Sequence, residues 1–180
     1  MKNTPDLFTS NLAEIKVSYR PGRPNSKMDQ VSSSKDAEKV LRSIWSDQMD
    51  YREEFVILCL NRANKVLGYS KISFGGTSGT VADAKIIFQI ALKANASSII
   101  LAHNHPSGNL KPSDADKKLT KKLMFAGFTL DITVLDHLIL TSEGYRSLMD
   151  EGDIDAKEMP HGRGFFFGYY YSDYIKLFLI

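Results

Sequence analysis

The 180-residue chain has one cysteine, Cys59, which excludes an intramolecular disulfide and any zinc ribbon built on cysteine pairs. A single thiol also fits a reducing compartment. No stretch approaches the roughly 18 apolar residues of a membrane-spanning helix. The opening MKNTPDLFTS lacks the apolar centre of a secretory signal. The chain is therefore expected to be cytoplasmic, without a membrane span. Charge of one sign is lacking too: 23 Lys and Arg against 21 Asp and Glu leave a formal +2. That balance neither favours nor excludes nucleic acid as a partner. No internal repeat is found. What is present in bulk, 43% hydrophobic and 24% charged residues, suits a globular protein with one core.

Composition divides the chain into an arm, a domain and a tail. Residues 1–33 carry Arg20-Pro21-Gly22-Arg23-Pro24 and a serine run, and should be largely irregular apart from a short strand near 12–18. The domain occupies 34–154. Ala37, Val40, Leu41, Ile44 and Trp45 have helical spacing, with Ser34 as the expected cap. Residues 54–60 read as a buried strand and 66–73 as its hairpin partner, closed by a glycine-rich stretch from Gly75. A helix is predicted over 82–94, a strand over 98–102, and a helix from Ser113 to Phe125 that stops at Gly127. Strands near 130–135 and 138–140 and a short helix near 143–149 follow. Strands alternating with helices predict an α/β (α+β) fold with one mixed sheet flanked by helices. From 155 to 180 the tail is aromatic-rich, with Phe165-Phe166-Phe167 and Tyr169-Tyr170-Tyr171. A docked edge strand, an interaction or membrane-surface segment and a non-native reading-frame remnant are all open for it, docking being the plainest.

The chemistry concentrates in HNHPSGNLKPSDAD, residues 103–116. A strand runs directly into His103. Side chains two apart on extended backbone share a face, so His103 and His105 can converge on one ion. A loop rich in proline and glycine turns the chain into a helix at Ser113, and Asp116 in its first turn comes back toward the imidazoles. Two nitrogens and one carboxylate oxygen leave a fourth tetrahedral position open, the pattern of a catalytic zinc. Each part has a plainer account. His-x-His is common in loops, and Ser113-x-x-Asp116 is also an ordinary capping box. The full spacing H-x-H-x7-S-x2-D, with both histidines at the end of a buried strand, points to one zinc ion per chain on His103, His105 and Asp116. Hydrolysis would further need a base, for which Glu53 and Glu54 are the candidates, and periodicity does not choose between them.

These residues resemble a known family. HNHPSGNLKPSDAD, preceded by REEFVILCLNRANKVLG and followed by LDITVLDHLIL, is similar to the JAMM/MPN-type metalloprotease domain, and more closely to the bacterial RadC-like (UPF0758) proteins. The resemblance covers roughly 33–154. It implies the deaminase-like JAMM/MPN fold, zinc on His103, His105 and Asp116, and an oxyanion-binding serine at Ser113. It also implies Glu53 as the catalytic glutamate, with Glu54 as the fallback. Asp136-His137 is a further shared feature; a core pair joining two strands is the plainer account, and a hydrogen bond supporting a metal ligand the alternative. His161 reads as an exposed bystander.

Two functional classes follow. The first is a zinc-dependent metallopeptidase or isopeptidase acting on a peptide or protein substrate. The second is a DNA-repair or recombination accessory with weak or no hydrolase activity. Longer RadC-like proteins carry a helix-hairpin-helix DNA-binding region, for which the 33 residues before Ser34 are too few. Lys117, Lys118, Lys121 and Lys122 could touch phosphates, although a solvated helix face is the plainer account. A pure scaffold would not need an open metal position. A nucleobase deaminase needs a P-C-x-x-C ligand pair that one cysteine cannot make.

Overall fold

The computed structural model describes residues 22, 24–75 and 82–155. The strand expected near 12–18, the stretch 76–81, His161 and the aromatic tail from 156 lie outside the described residues. Among the described residues, five strands form one mixed sheet in the order β2-β1-β3-β4-β5. They are β1 (Glu54–Leu60), β2 (Val66–Phe74), β3 (Ser98–Asn104), β4 (Thr133–Leu140) and β5 (Tyr145–Ser147). Only β3 and β4 run parallel, and α3 (Asp114–Thr129) connects them. The remaining pairs are antiparallel. This is an α+β architecture with helices on both faces.

The central strands β1 and β3 are buried at every position, which is why both read as continuous apolar runs. Alternation sorts their side chains into two cores. Phe55, Ile57, Cys59, Ile99 and Leu101 meet Ile87, Phe88 and Ala91 of α2 (Ala84–Lys93) and Leu123 and Met124 of α3. Val56, Leu58, Leu60, Ile100 and Ala102 meet Ala37 and Leu41 of α1 (Ser34–Ile44). The arm already contributes to the second core: Val31 is buried there, and Gln30 bridges to Lys65.

Four local expectations change. The cap of α1 is Ser33, not Ser34; its hydroxyl accepts from the Asp36 N–H, and Asp36 Oδ2 accepts from Ser33 Oγ. The third helix does not stop at Gly127 but runs to Thr129. It ends with Asp131 in the left-handed region (φ 55°), where the Ile132 N–H reaches the Gly127 carbonyl at 2.8 Å. Gly127 serves close approach, since a Cβ there would lie 2.3 Å from the Ile132 carbonyl oxygen. The two short strands expected over 130–140 are one strand. Asp136 and His137 look like a polar break but are buried and hydrogen-bonded. The short helix expected near 143–149 contains β5 instead. A turn bonded from the Thr141 N–H to the Gly144 carbonyl (2.9 Å) folds β5 onto β4. Asp136 then binds Ser147 Oγ at 2.6 Å and the Met149 N–H at 3.3 Å.

Gly127→Ala should gain the better helix propensity of alanine, about 1 kcal/mol. It should still be net destabilising, because overpacking against a backbone oxygen costs about 1–3 kcal/mol and more at so short a distance. A lower urea midpoint at unchanged m-value checks this. Burial pushes the Cys59 thiol pKa up to about 11. Native protein at pH 8 should therefore resist Ellman's reagent, and urea-unfolded protein should react fully.

Candidate metal centre

The centre forms where β3 ends and α3 begins. His103 is the sixth residue of β3, on the face of Leu101 and Ile99, opposite Phe55 in β1, whose ring lies parallel to the imidazole with centroids 6.2 Å apart. The His105 N–H bonds the Leu140 carbonyl at 3.0 Å, which carries the extended backbone past the strand end. His105 therefore falls on the same face as His103. The His105 Nδ1 lies 2.6 Å from the Asn109 carbonyl, a group that only accepts. Nδ1 thus bears a proton, and a neutral ring then turns its Nε2 lone pair toward the cluster.

Asp116 reconciles the two accounts open for it, because its carboxylate serves the helix start and the imidazoles at once. Oδ2 accepts from the Ser113 N–H at 2.7 Å and from Ser113 Oγ at 2.6 Å, completing the capping box of α3. Oδ1 faces His103 Nε2 at 3.3 Å. Burial alone would raise the Asp116 carboxyl pKa. The Ser113 hydroxyl and N–H, both donating to Oδ2, act against it and lower the group below the usual carboxylate range.

The donor set fits a zinc ion. His103 Nε2 and His105 Nε2 are 2.9 Å apart, and Asp116 oxygens lie 3.3 Å from the first and 3.8 Å from the second. Zinc bonds of about 2.0–2.1 Å at the tetrahedral angle place donor atoms about 3.3 Å apart. Two imidazoles and a carboxylate are also the ligand types zinc takes, and all three donor atoms lie within 4.8 Å of one another. Whereas the His103 side chain is 3% exposed, His105 and Asp116 keep 15% and 18%, so the cluster reaches the surface on their side.

The other candidates separate by face. Glu54 is fully buried on the α1 side, bonded to Ser46 Oγ and paired with Lys71 at 3.2 Å. Glu53 is half-buried, and its carbonyl accepts from the Gly75 N–H at 2.8 Å, which extends the β1–β2 ladder by one step. Alternation carried through that step assigns Glu53 to the face of Phe55 and His103. Asp136 does not join the cluster; burial raises its carboxyl pKa, and its partners are Ser147, the Met149 N–H and the His137 N–H. His137 lies behind it, with Nε2 2.7 Å from His103 Nδ1. Burial lowers the His137 pKa well below its ordinary value. Lys117 pairs with Asp153 at 3.1 Å, so the α3 lysines are in part an internal ion-pair network.

Two residues escaped the sequence reading. Thr120 lies four residues after Asp116 on α3, a spacing that marks a shared helix face, and its Oγ1 is 2.6 Å from His137 Nδ1. Asn104, between the two histidines, faces the other side of the sheet. It is fully buried, accepts from the Glu54 N–H at 2.7 Å and donates to the Met49 and Arg52 carbonyls at 2.6 and 2.9 Å. The opposite parity of Asn104 within H-N-H was the available signal.

Comparison with known proteins gives one consistent family. Residues 31–153 match the model of the RadC-like JAB domain. The chain is 45% identical over 126 residues to a UPF0758 protein of Flavobacterium johnsoniae, covering 70% of this chain and 54% of that one. It is 44% identical over 112 residues to a UPF0758 protein of Thermosynechococcus vestitus, covering 62% and 44%. A UPF0758 protein of Porphyromonas gingivalis is 39% identical over 150 residues, covering 82% and 65%. The chain thus spans about half to two thirds of the length of these relatives.

Asn104→Ala should destabilise the fold by about 3 kcal/mol, because three buried backbone groups lose their partner. Urea unfolding checks the magnitude; a loss under 1 kcal/mol would mean that water replaces the side chain.

Proposed function

The chain belongs to the RadC-like JAB domain family, and from that premise we propose that it is a zinc-dependent hydrolase of the JAMM type, a metallopeptidase or isopeptidase. The observation that carries the proposal is the convergence of His103 Nε2, His105 Nε2 and an Asp116 oxygen at separations suited to tetrahedral zinc, on a cluster that reaches the surface. When bound, the ion supplies Lewis acidity, acidifying a water and polarising an amide carbonyl.

The chain's own residues supply the rest. Glu53 is the proposed general base: it takes the proton of the attacking water and returns it to the leaving amine. The register supports Glu53 over Glu54, since Glu54 is tied to Ser46 and Lys71 across the sheet. Ser113 is the proposed donor to the developing oxyanion. In the capping box its hydroxyl proton points to Asp116 Oδ2, so donation to substrate requires that proton to swing away. The Ser113 N–H still holds Oδ2 while it does so.

Metal analysis of the purified full chain should find one zinc per chain, and His103→Ala should lose it. Glu53→Gln should keep the zinc and lose about 10²–10⁴-fold in cleavage of peptide and isopeptide substrates. Failure to bind zinc at micromolar concentration would sink the reading. Full activity in Glu53→Gln would reject Glu53 as the base.

A further inference from the structure

Thr120 and His137 lie outside the three-ligand cluster, yet their contacts decide what one of its members can do. Thr120 Oγ1 donates to the Asp116 backbone carbonyl at 2.6 Å, an oxygen that only accepts. A hydroxyl has one proton, and this bond takes it. The 2.6 Å contact between Thr120 Oγ1 and His137 Nδ1 must then run the other way, from an Nδ1–H to the hydroxyl oxygen. A neutral His137 has no second proton. Its Nε2 offers a lone pair to His103 Nδ1 at 2.7 Å, so His103 must carry its own proton on Nδ1. His103 Nε2 is left bare, facing Asp116 Oδ1 at 3.3 Å and His105 Nε2 at 2.9 Å.

We infer that Thr120 and His137 are positioning residues that lock His103 in the tautomer whose Nε2 can bind a cation. The inference deepens the zinc-site reading and rests on it. Three hydrogen bonds form an arc that starts on Asp116 and returns a free nitrogen to the same residue. The Asp116 carbonyl receives Thr120, Thr120 receives His137, His137 receives His103, and the free nitrogen of His103 faces the Asp116 carboxylate. The side chain is held on both edges, since Phe55 also packs against the rings of His103 and His137. With His105 fixed in the same sense by the Asn109 carbonyl, two bare nitrogens and a carboxylate oxygen face one point. Three acceptors without a proton between them demand a cation.

The test reads proton positions directly in the full chain labelled with ¹⁵N-histidine. Long-range ¹H–¹⁵N correlations should show His137 as a neutral Nδ1–H tautomer in both metal-free and zinc-loaded protein, the reverse of the Nε2–H form preferred by free imidazole side chains. His137 protonated on Nε2, alone or on both nitrogens, would overturn the inference. Thr120→Val keeps the shape but removes the hydroxyl. It should release His137 to the Nε2–H form and weaken zinc binding about 10–100-fold in chelator competition. Thr120→Ser should restore both readouts to within a few-fold of the parent. Equal losses in the two variants, or unchanged zinc affinity in Thr120→Val, would also overturn it. A chain that binds no zinc but keeps the Nδ1–H signal of His137 would overturn the zinc reading while leaving the proton order intact.

Discussion

Burying imidazoles at the end of a fully enclosed strand sets a condition that the rest of the site must meet. Every ring nitrogen withdrawn from water needs a partner, and an unpartnered one costs several kcal/mol. His103 and His137 are almost wholly enclosed, so their four nitrogens must be satisfied from within the protein. Three of them are, through each other and through Thr120. The fourth, His103 Nε2, has only His105 and Asp116 before it. The sheet supplies this arrangement cheaply. Parallel pairing sets His137 opposite Leu101, one pleat step from His103, and α3 begins just beyond the strand that ends there.

The opposite face of the same strand has a complementary task. Asn104 reaches across to the backbone of residues 49, 52 and 54 and fixes how the chain enters β1. Glu54 is anchored on that side by Ser46 and Lys71. Three consecutive residues, His103, Asn104 and His105, thus address two different layers of the molecule. Alternation along a strand is enough to achieve this.

The legible parts of the fold were those in which one period dominates. The strands β1 and β3 are unbroken apolar runs, and α1 has a clear amphipathic stripe, so their placement followed from pattern alone. Errors clustered where a residue carries two meanings. Gly127 reads as a helix stop, yet it is a close-approach position inside α3. Asp136 and His137 read as a break, yet buried partners let one strand pass through them. At the site, strand parity and the capping spacing were enough to gather His103, His105, Ser113 and Asp116. Thr120 was illegible because a threonine in a helix has no periodic signature, and its importance depends on a strand that arrives later in the chain. The choice of Glu53 over Glu54 came from resemblance, and only the pairing of β1 with its neighbours gave that choice a physical basis.

The double use of Asp116 has a consequence for how this surface can vary. Its carboxylate spans the start of α3 and the imidazole pair, so glutamate, one methylene longer, cannot keep both distances. The residues between His105 and Ser113 are under a looser demand. Loop closure costs little for each added residue, but the Asn109 carbonyl within it must keep its place against His105 Nδ1. Natural variation should therefore accumulate in the loop positions that leave this contact intact. The frame on either side of it is indivisible: a shift of α3 by one residue relative to the sheet would undo the helix start and the cluster at a single stroke.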